Sequence, residues 1–169
     1  MFATSSCPHI SKRSAIPISD MELTEHQKRL AGMFWLIVDY CLANAGNSAL
    51  KGMDRHNLFK YVAFCFFTGR LNVAWEAGKI EAVVFAWPGT RVEIEARSQV
   101  SQGSFKWELP RRGDCLFVAD VIGSRNGVAK IYHGQVEKNP QLNFIPILTY
   151  RHGRLHRLKH LNRFLRGRK

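Results

Sequence analysis

The cysteines of this chain never come in a Cys-x-x-Cys pair. Cys7, Cys41, Cys65 and Cys115 are far apart, and three of them sit in apolar runs. That spacing argues against a zinc site and against a disulfide framework. Buried free thiols fit a reducing cytoplasm, where we expect the protein to reside. The first twenty residues, MFATSSCPHISKRSAIPISD, lack a continuous apolar core of secretory length, so no signal peptide is expected. The most apolar helical stretch, Ala31 to Ala45, is too short to span a bilayer and carries Asp39, so no transmembrane segment is expected. Neither a Gly-x-Ser-x-Gly elbow nor a Walker-type Gly-Lys-Ser/Thr loop is present, and Cys115 has no base motif beside it. Acidic residues are missing altogether from 151–169, which hold eight Lys and Arg. Before that point 17 basic residues face 13 acidic ones, so the net charge of +12 is concentrated at one end. Such an end can attract nucleic acid, an acidic protein or a membrane surface, or can simply keep the chain soluble.

A chain of 169 residues with 46% hydrophobic content suits a single domain with a real core. Residues 1–20, rich in Ser and Pro, are expected to be a flexible segment, 21–160 the domain, and 161–169 a basic tail. Thr24 and Gln27 form a capping-box pattern for a helix from about Glu25 to Ala45. Its apolar stripe is Leu30, Phe34, Ile37, Val38, Cys41 and Leu42. Asp54 is a plausible N-cap for a second helix, with Leu58, Tyr61, Val62, Cys65 and Phe66 facing inward. The aromatic residues of these helices exceed what one core face can bury, which points to a homodimer contact.

The period then changes from helical to extended. Leu71–Glu76 and Lys79–Trp87 flank Ala77-Gly78 as a hairpin, with Pro88-Gly89 expected to stop the second strand. Arg91 to Glu95 alternates charged and apolar residues, as an exposed strand or loop does. Cys115 to Ile122 is a nearly continuous apolar run, the pattern of a strand covered on both faces, with Asp120 near its end. Gly123-Ser124-Arg125-Asn126-Gly127 follows as a turn. From Val128 on, Val128, Ile131, Tyr132, Gln135 and Val136 fall on one helical face. Phe144–Arg151 and Arg154–Leu158 read as closing strands around His152-Gly153. The order implies an α+β fold, layered αβα, with a mixed sheet and one strand–helix–strand crossover among hairpins.

Small residues, backbone N–H groups and Arg125 at a helix start can hold an anionic group such as a pyrophosphate. A carboxylate in a strand as apolar as Cys115–Ile122 is expected to have a raised pKa or a partner, so Asp120 reads either as a catalytic group or as a structural acceptor paired, for example, with Arg125. His56, near the start of the second helix, has the near-neutral pKa that suits a general base, although a histidine there more often faces solvent. His152, His156 and His160 have the spacing of a metal-binding helical face, but Gly153 and the strand that follows it argue against helix and hence against metal.

The element order resembles the GNAT superfamily of acyl-CoA-dependent N-acyltransferases, and within it the toxin-activating lysine acyltransferases. The residues that carry the likeness are Phe117-Val118-Ala119-Asp120-Val121-Ile122, Asn126-Gly127, Lys130-Ile131-Tyr132, Asn139-Pro140 and Ile147 to Arg151, with Ala82 to Trp87 upstream. They span roughly residues 70–160. The resemblance implies a GNAT-like, mostly antiparallel mixed sheet with two N-terminal helices. It implies transfer of an acyl group from a thioester to an amine, on a small molecule or a protein lysine. It implies Asp120 and His56 as catalytic residues and a thioester oxygen held near Val121 and Ile122. Any pyrophosphate would lie at the Gly123, Ser124, Arg125, Asn126, Gly127 and Val128 turn. The superfamily's phosphate loop has two residues between its Arg and first Gly. Here Arg125-Asn126-Gly127 has one, so acyl-CoA and an acyl-carrier protein both stay open as donors. A non-enzymatic basic module that binds nucleic acid or an acidic protein is the competing reading.

Overall fold

The computed structural model describes residues 23–46, 48–98, 113–151 and 154–158. The expected flexible segment 1–20 and the basic tail 161–169 lie outside these residues. Helix α1 (Glu25–Asn44) starts at Thr24, whose side chain accepts from Gln27 N–H while Gln27 accepts from Thr24 N–H, the capping box that the sequence announces. A short 3-10 turn (Ala49–Gly52) leads to α2 (Arg55–Phe67), capped by Asp54. The remaining elements are β1 (Leu71–Glu76), β2 (Lys79–Gly89), α3 (Arg91–Ser98), β3 (Cys115–Gly123), α4 (Arg125–Lys138), β4 (Ile147–Arg151) and β5 (Arg154–Leu158).

The five strands form one sheet in chain order. Three neighbouring pairs are antiparallel; β3 and β4, joined through α4, are parallel. The fold is therefore α+β with a mixed sheet, and helices cover both of its faces. Val83, Phe85 and Trp87 of β2 pack with Phe34, Ile37, Val38 and Cys41 of α1 and with Leu58, Tyr61, Val62 and Cys65 of α2. The alternate residues Ala82 and Val84 pack with Val128, Ile131 and Tyr132 of α4. One strand feeds two cores because successive side chains point to opposite faces. Helices α1 and α2 are also stapled by aromatic edges, with Phe34 5.9 Å from Phe59 and 5.2 Å from Phe66. Phe66, expected to face inward, and Phe67 stay exposed at 39% and 71% beside Phe34.

Three elements differ from the sequence reading. Arg91 to Glu95 opens a helix rather than an exposed strand or loop, because Thr90 and Glu93 form a second capping box, with Thr90 N–H donating to Glu93 Oε2 at 2.9 Å. Strand β2 runs through Pro88 to Gly89. Its pairing with β1 reaches only Leu71 and Phe85, so the missing N–H of Pro88 costs no ladder bond on that side. Residues 144–146 precede β4 instead of belonging to it, because Pro140 starts a 3-10 turn that ends at Asn143.

The close seating of α4 on β2 depends on glycine. Gly123 has φ +118, and a Cβ there would stand 2.2 Å from Glu81 O and 2.5 Å from the Tyr40 hydroxyl. Gly32, inside α1, has open space around it. Gly123→Ala is therefore expected to cost about 2–4 kcal/mol, through strained backbone and overlap. Gly32→Ala should gain about 0.5–1 kcal/mol, through helix propensity alone. Thermal melting of both variants checks the contrast; equal shifts would remove the tight contact from the account.

Candidate functional site

Two irregularities shape the end of β3. Phe85 pairs with Asp120 and Ala86 with Val118, so Ala119 is an extra residue, a β-bulge. Before the bulge, Leu116 and Val118 pack on the α4 side, and Phe117 and Ala119 face α1 and α2. Strict alternation would then send Asp120 back to α4. The bulge instead turns Asp120 and Ile122 toward α1 and α2, where Ser48 Oγ donates to Asp120 Oδ1 at 2.5 Å. The same Ser48 oxygen accepts from Leu50 N–H at 3.0 Å, so the start of the 3-10 turn holds the hydroxyl in place. Ser48 is a site residue the sequence reading missed. Its serine-before-helix position is visible in sequence as a cap, but its second bond runs 72 residues along the chain.

The second irregularity is the end of the parallel ladder. β3 and β4 pair only at Leu116–Ile147, Phe117–Leu148 and Val118–Thr149. β3 continues for five residues, Ala119 to Gly123, whose outer edge has no strand partner among the described residues. The two strands thus form a fork. Asp120 stands two residues past the branch point, and Val121 is 38% exposed.

Buried thiols and a phenol surround the Asp120 carboxylate. Burial, followed by the charge of Asp120, pushes the Cys41 thiol up to about 12. Burial dominates at Cys65 as well and lifts it to about 12, against a lowering from its bond to Tyr61. Tyr61 rises well above its ordinary value for the same first reason. These groups remain protonated through the neutral range, so the thiols are poor nucleophiles.

The turn after β3 is packed rather than open. Ser124 N–H and the Tyr40 hydroxyl both donate to Glu81 O, at 2.9 and 2.7 Å. Ser124 Oγ caps α4 by accepting from Gly127 N–H at 3.0 Å, and Val128 N–H donates to Ser124 O. Of the predicted anion-holding amides, those of Arg125 and Asn126 remain uncommitted in these bonds. The helix starts at Arg125, three residues before the apolar periodicity shows it, because Ser124 supplies the cap. An open hollow of about 560 Å³ borders the turn, lined by Tyr40, Asn44, Glu76, Lys79, Glu81 and Ser124 among others.

The predicted site residues therefore divide. Asp120, Val121 and Ile122 lie along the fork, and Gly123 to Val128 follow directly on it. His56 does not reach them. It is exposed on the first turn of α2, its ring 6.3 Å from Trp35, and the structure brings it into no contact with Asp120. Its neighbour Arg55 sits 4.6 Å over the Trp35 ring and pairs with Asp39 at 2.9 Å. Arg125 is likewise exposed, at the start of α4. His133 is exposed on α4. His152 and His160 lie outside the described residues, and the described ones contain no cluster of metal-ligating side chains. No described helix is long and apolar enough to cross a membrane.

No protein-family model, curated protein or solved structure matches this chain.

Two experiments probe this geometry. Ser48→Ala leaves a half-buried carboxylate without its hydroxyl donor and is expected to cost about 1–3 kcal/mol in thermal or urea unfolding. A variant as stable as the parent would mean that Ser48 does not hold Asp120. Across the turn, Lys130 Nζ binds Glu76 at 2.6 Å and Glu81 at 3.1 Å. The bond from Lys130 holds Glu76 below the ordinary 4.5. A lowered carboxylate contributes stability above its ordinary value and loses it as pH falls through the lowered folded value. The melting-temperature difference between the parent and Lys130→Met should accordingly narrow below pH 4.5. A difference unchanged down to full protonation would mean that these ion pairs add nothing, as many exposed pairs do.

Proposed function

We propose that this protein is a GNAT-like N-acyltransferase, moving an acyl group from a thioester to an amine. The observation that carries this reading is the fork between β3 and β4, with Asp120 two residues past its branch point, turned toward α1 and α2 by the Ala119 bulge and held by Ser48. An unpaired strand edge offers backbone N–H and C=O groups at regular spacing, and an extended amide-bearing arm such as pantetheine can bond to them as an added strand does. Edge amides near Val121 and Ile122 are suited to the thioester oxygen, where charge develops during attack. Asp120 orients the attacking amine and takes its proton.

Protonated Cys41 and Cys65 argue for direct attack of the amine on the donor rather than an acyl-cysteine intermediate. His56, standing against Trp35 away from the fork, has no part in this scheme. The donor favoured is an acyl-carrier protein. The N–H groups of Ser124, Gly127 and Val128 are already committed in the turn, so those left suit the single phosphate of a carrier arm better than the two of a CoA pyrophosphate. A carrier protein keeps its single phosphate outside the fork.

The test is a donor panel. An acyl-carrier thioester should raise the melting temperature, by about 2.7 kcal/mol of stabilisation at a hundredfold excess over Kd, and acyl-CoA should do so less. Asp120→Asn should keep the fold and abolish amide formation, while His56→Ala should retain it. Absence of a shift with any chain length or carrier would sink the transferase reading.

A further inference from the structure

Trp87 is a core residue, 5% exposed, yet its indole N–H finds no acceptor among the described residues. Buried tryptophans ordinarily satisfy this donor, and leaving one unmade costs about 1–3 kcal/mol. The rest of the side chain is well seated. Its ring meets Phe117 edge to face at 5.0 Å and belongs to the core under α1 and α2. An unmet donor in an otherwise well-packed position calls for a missing acceptor.

The sheet register shows where that acceptor would come from. Trp87 pairs with Phe117, and Phe117 pairs with Leu148, so the three form the last row but one before the fork opens. Phe85, the next residue of β2 on the same face, pairs with Asp120. Trp87 and Asp120 are thus diagonal neighbours on one face, about 7–8 Å apart at the backbone. Their side chains can converge on a single reacting group. Phe117 and Ala119, between them on the sheet, are half-buried at the margin of that core.

We propose that Trp87 Nε1–H receives the acyl carbonyl oxygen during transfer and is a catalytic residue of the site, a role that rests on the transferase reading above. The amine nitrogen attacks the thioester carbon, a C–N bond forms, and the carbonyl oxygen takes the electron pair. The indole N–H stabilises that oxyanion beside the fork's backbone amides. Asp120 removes the proton from the new ammonium. Collapse re-forms the carbonyl, breaks the C–S bond, and the departing thiolate regains the proton from Asp120. The products are an amide and a free thiol, with no other reactant. An aromatic N–H at this point acts only on the charged oxygen, so it affects turnover more than donor binding.

The experiment uses the full chain with 15N-labelled tryptophan and two acyl-carrier conjugates. One replaces the thioester sulfur by CH2 and keeps the carbonyl; the other is an S-alkyl thioether without it. Trp87 is assigned by elimination, from Trp35→Phe, Trp75→Phe and Trp107→Phe. The ketone conjugate should shift the Trp87 indole proton downfield and the thioether should not. Trp87→Phe should lower kcat about 100-fold with the donor KM changed less than threefold. If that variant does not fold, the two spectra of the parent decide. Binding of both conjugates with the indole unmoved, or moved equally, removes Trp87 from the reaction and leaves the transferase reading intact. A Trp87→Phe protein with undiminished kcat does the same. Failure of either conjugate to bind, with no amide formed by the parent, overturns the transferase reading and this role together.

Discussion

The extra residue at Ala119 decides how the sheet meets its helices. Without it, Asp120 would fall on the α4 side among Val118, Val128 and Ile131, where a carboxylate would meet a steep desolvation cost. With it, the strand gains a local twist, and Asp120 swings toward the one hydroxyl that the α1–α2 connection supplies. The parallel ladder to β4 also stops at the residue before the bulge. A bulge bends its strand, and a bent β3 cannot stay in register with a straight neighbour. One inserted residue thus accounts for both the placed carboxylate and the open edge.

The far end of β3 obeys a matching constraint. Glu81, the bulged residue of β2 opposite β1, offers one carbonyl to two donors, the Tyr40 hydroxyl and Ser124 N–H. That shared acceptor ties α1, the hairpin and the start of α4 to a single point. It demands backbone contact so close that only glycine fits at 123 and 127. The glycines that look in sequence like an anion loop are explained first by this packing. The same packing ties the distal end of β3 to β2 and α1 rather than to β4.

Much of the architecture was legible because its signals are local. Thr24 with Gln27, Asp54 before α2, Ala77-Gly78 between two strands, and the apolar run from Cys115 each announce an element from its own residues. α3 was equally local, a Thr-x-x-Glu capping box, but the alternation of Val92 and Ile94 reads as a strand when that box is overlooked. What stayed hidden is non-local. Nothing near Ala119 marks it as a bulge, since register exists only when β2 lies alongside. Nothing near Ser48 announces Asp120. His56 suits a base by type and by its place in a resemblance, and only the packing of α2 against Trp35 shows it pointing elsewhere.

Burial separates the roles of the ionisable groups gathered behind β3. Cys41, Cys65 and Tyr61 lie in the core under α1 and α2, close enough to Asp120 to feel its charge. Each loses solvation on ionising, and each would add a second negative charge beside the first. The arrangement therefore permits one anion and forbids three. Around neutral pH this leaves one carboxylate, oriented by a hydroxyl, and no thiolate beside it. Such a group can orient an amine and accept the single proton released once the C–N bond has formed. That restriction is set by desolvation rather than by any motif.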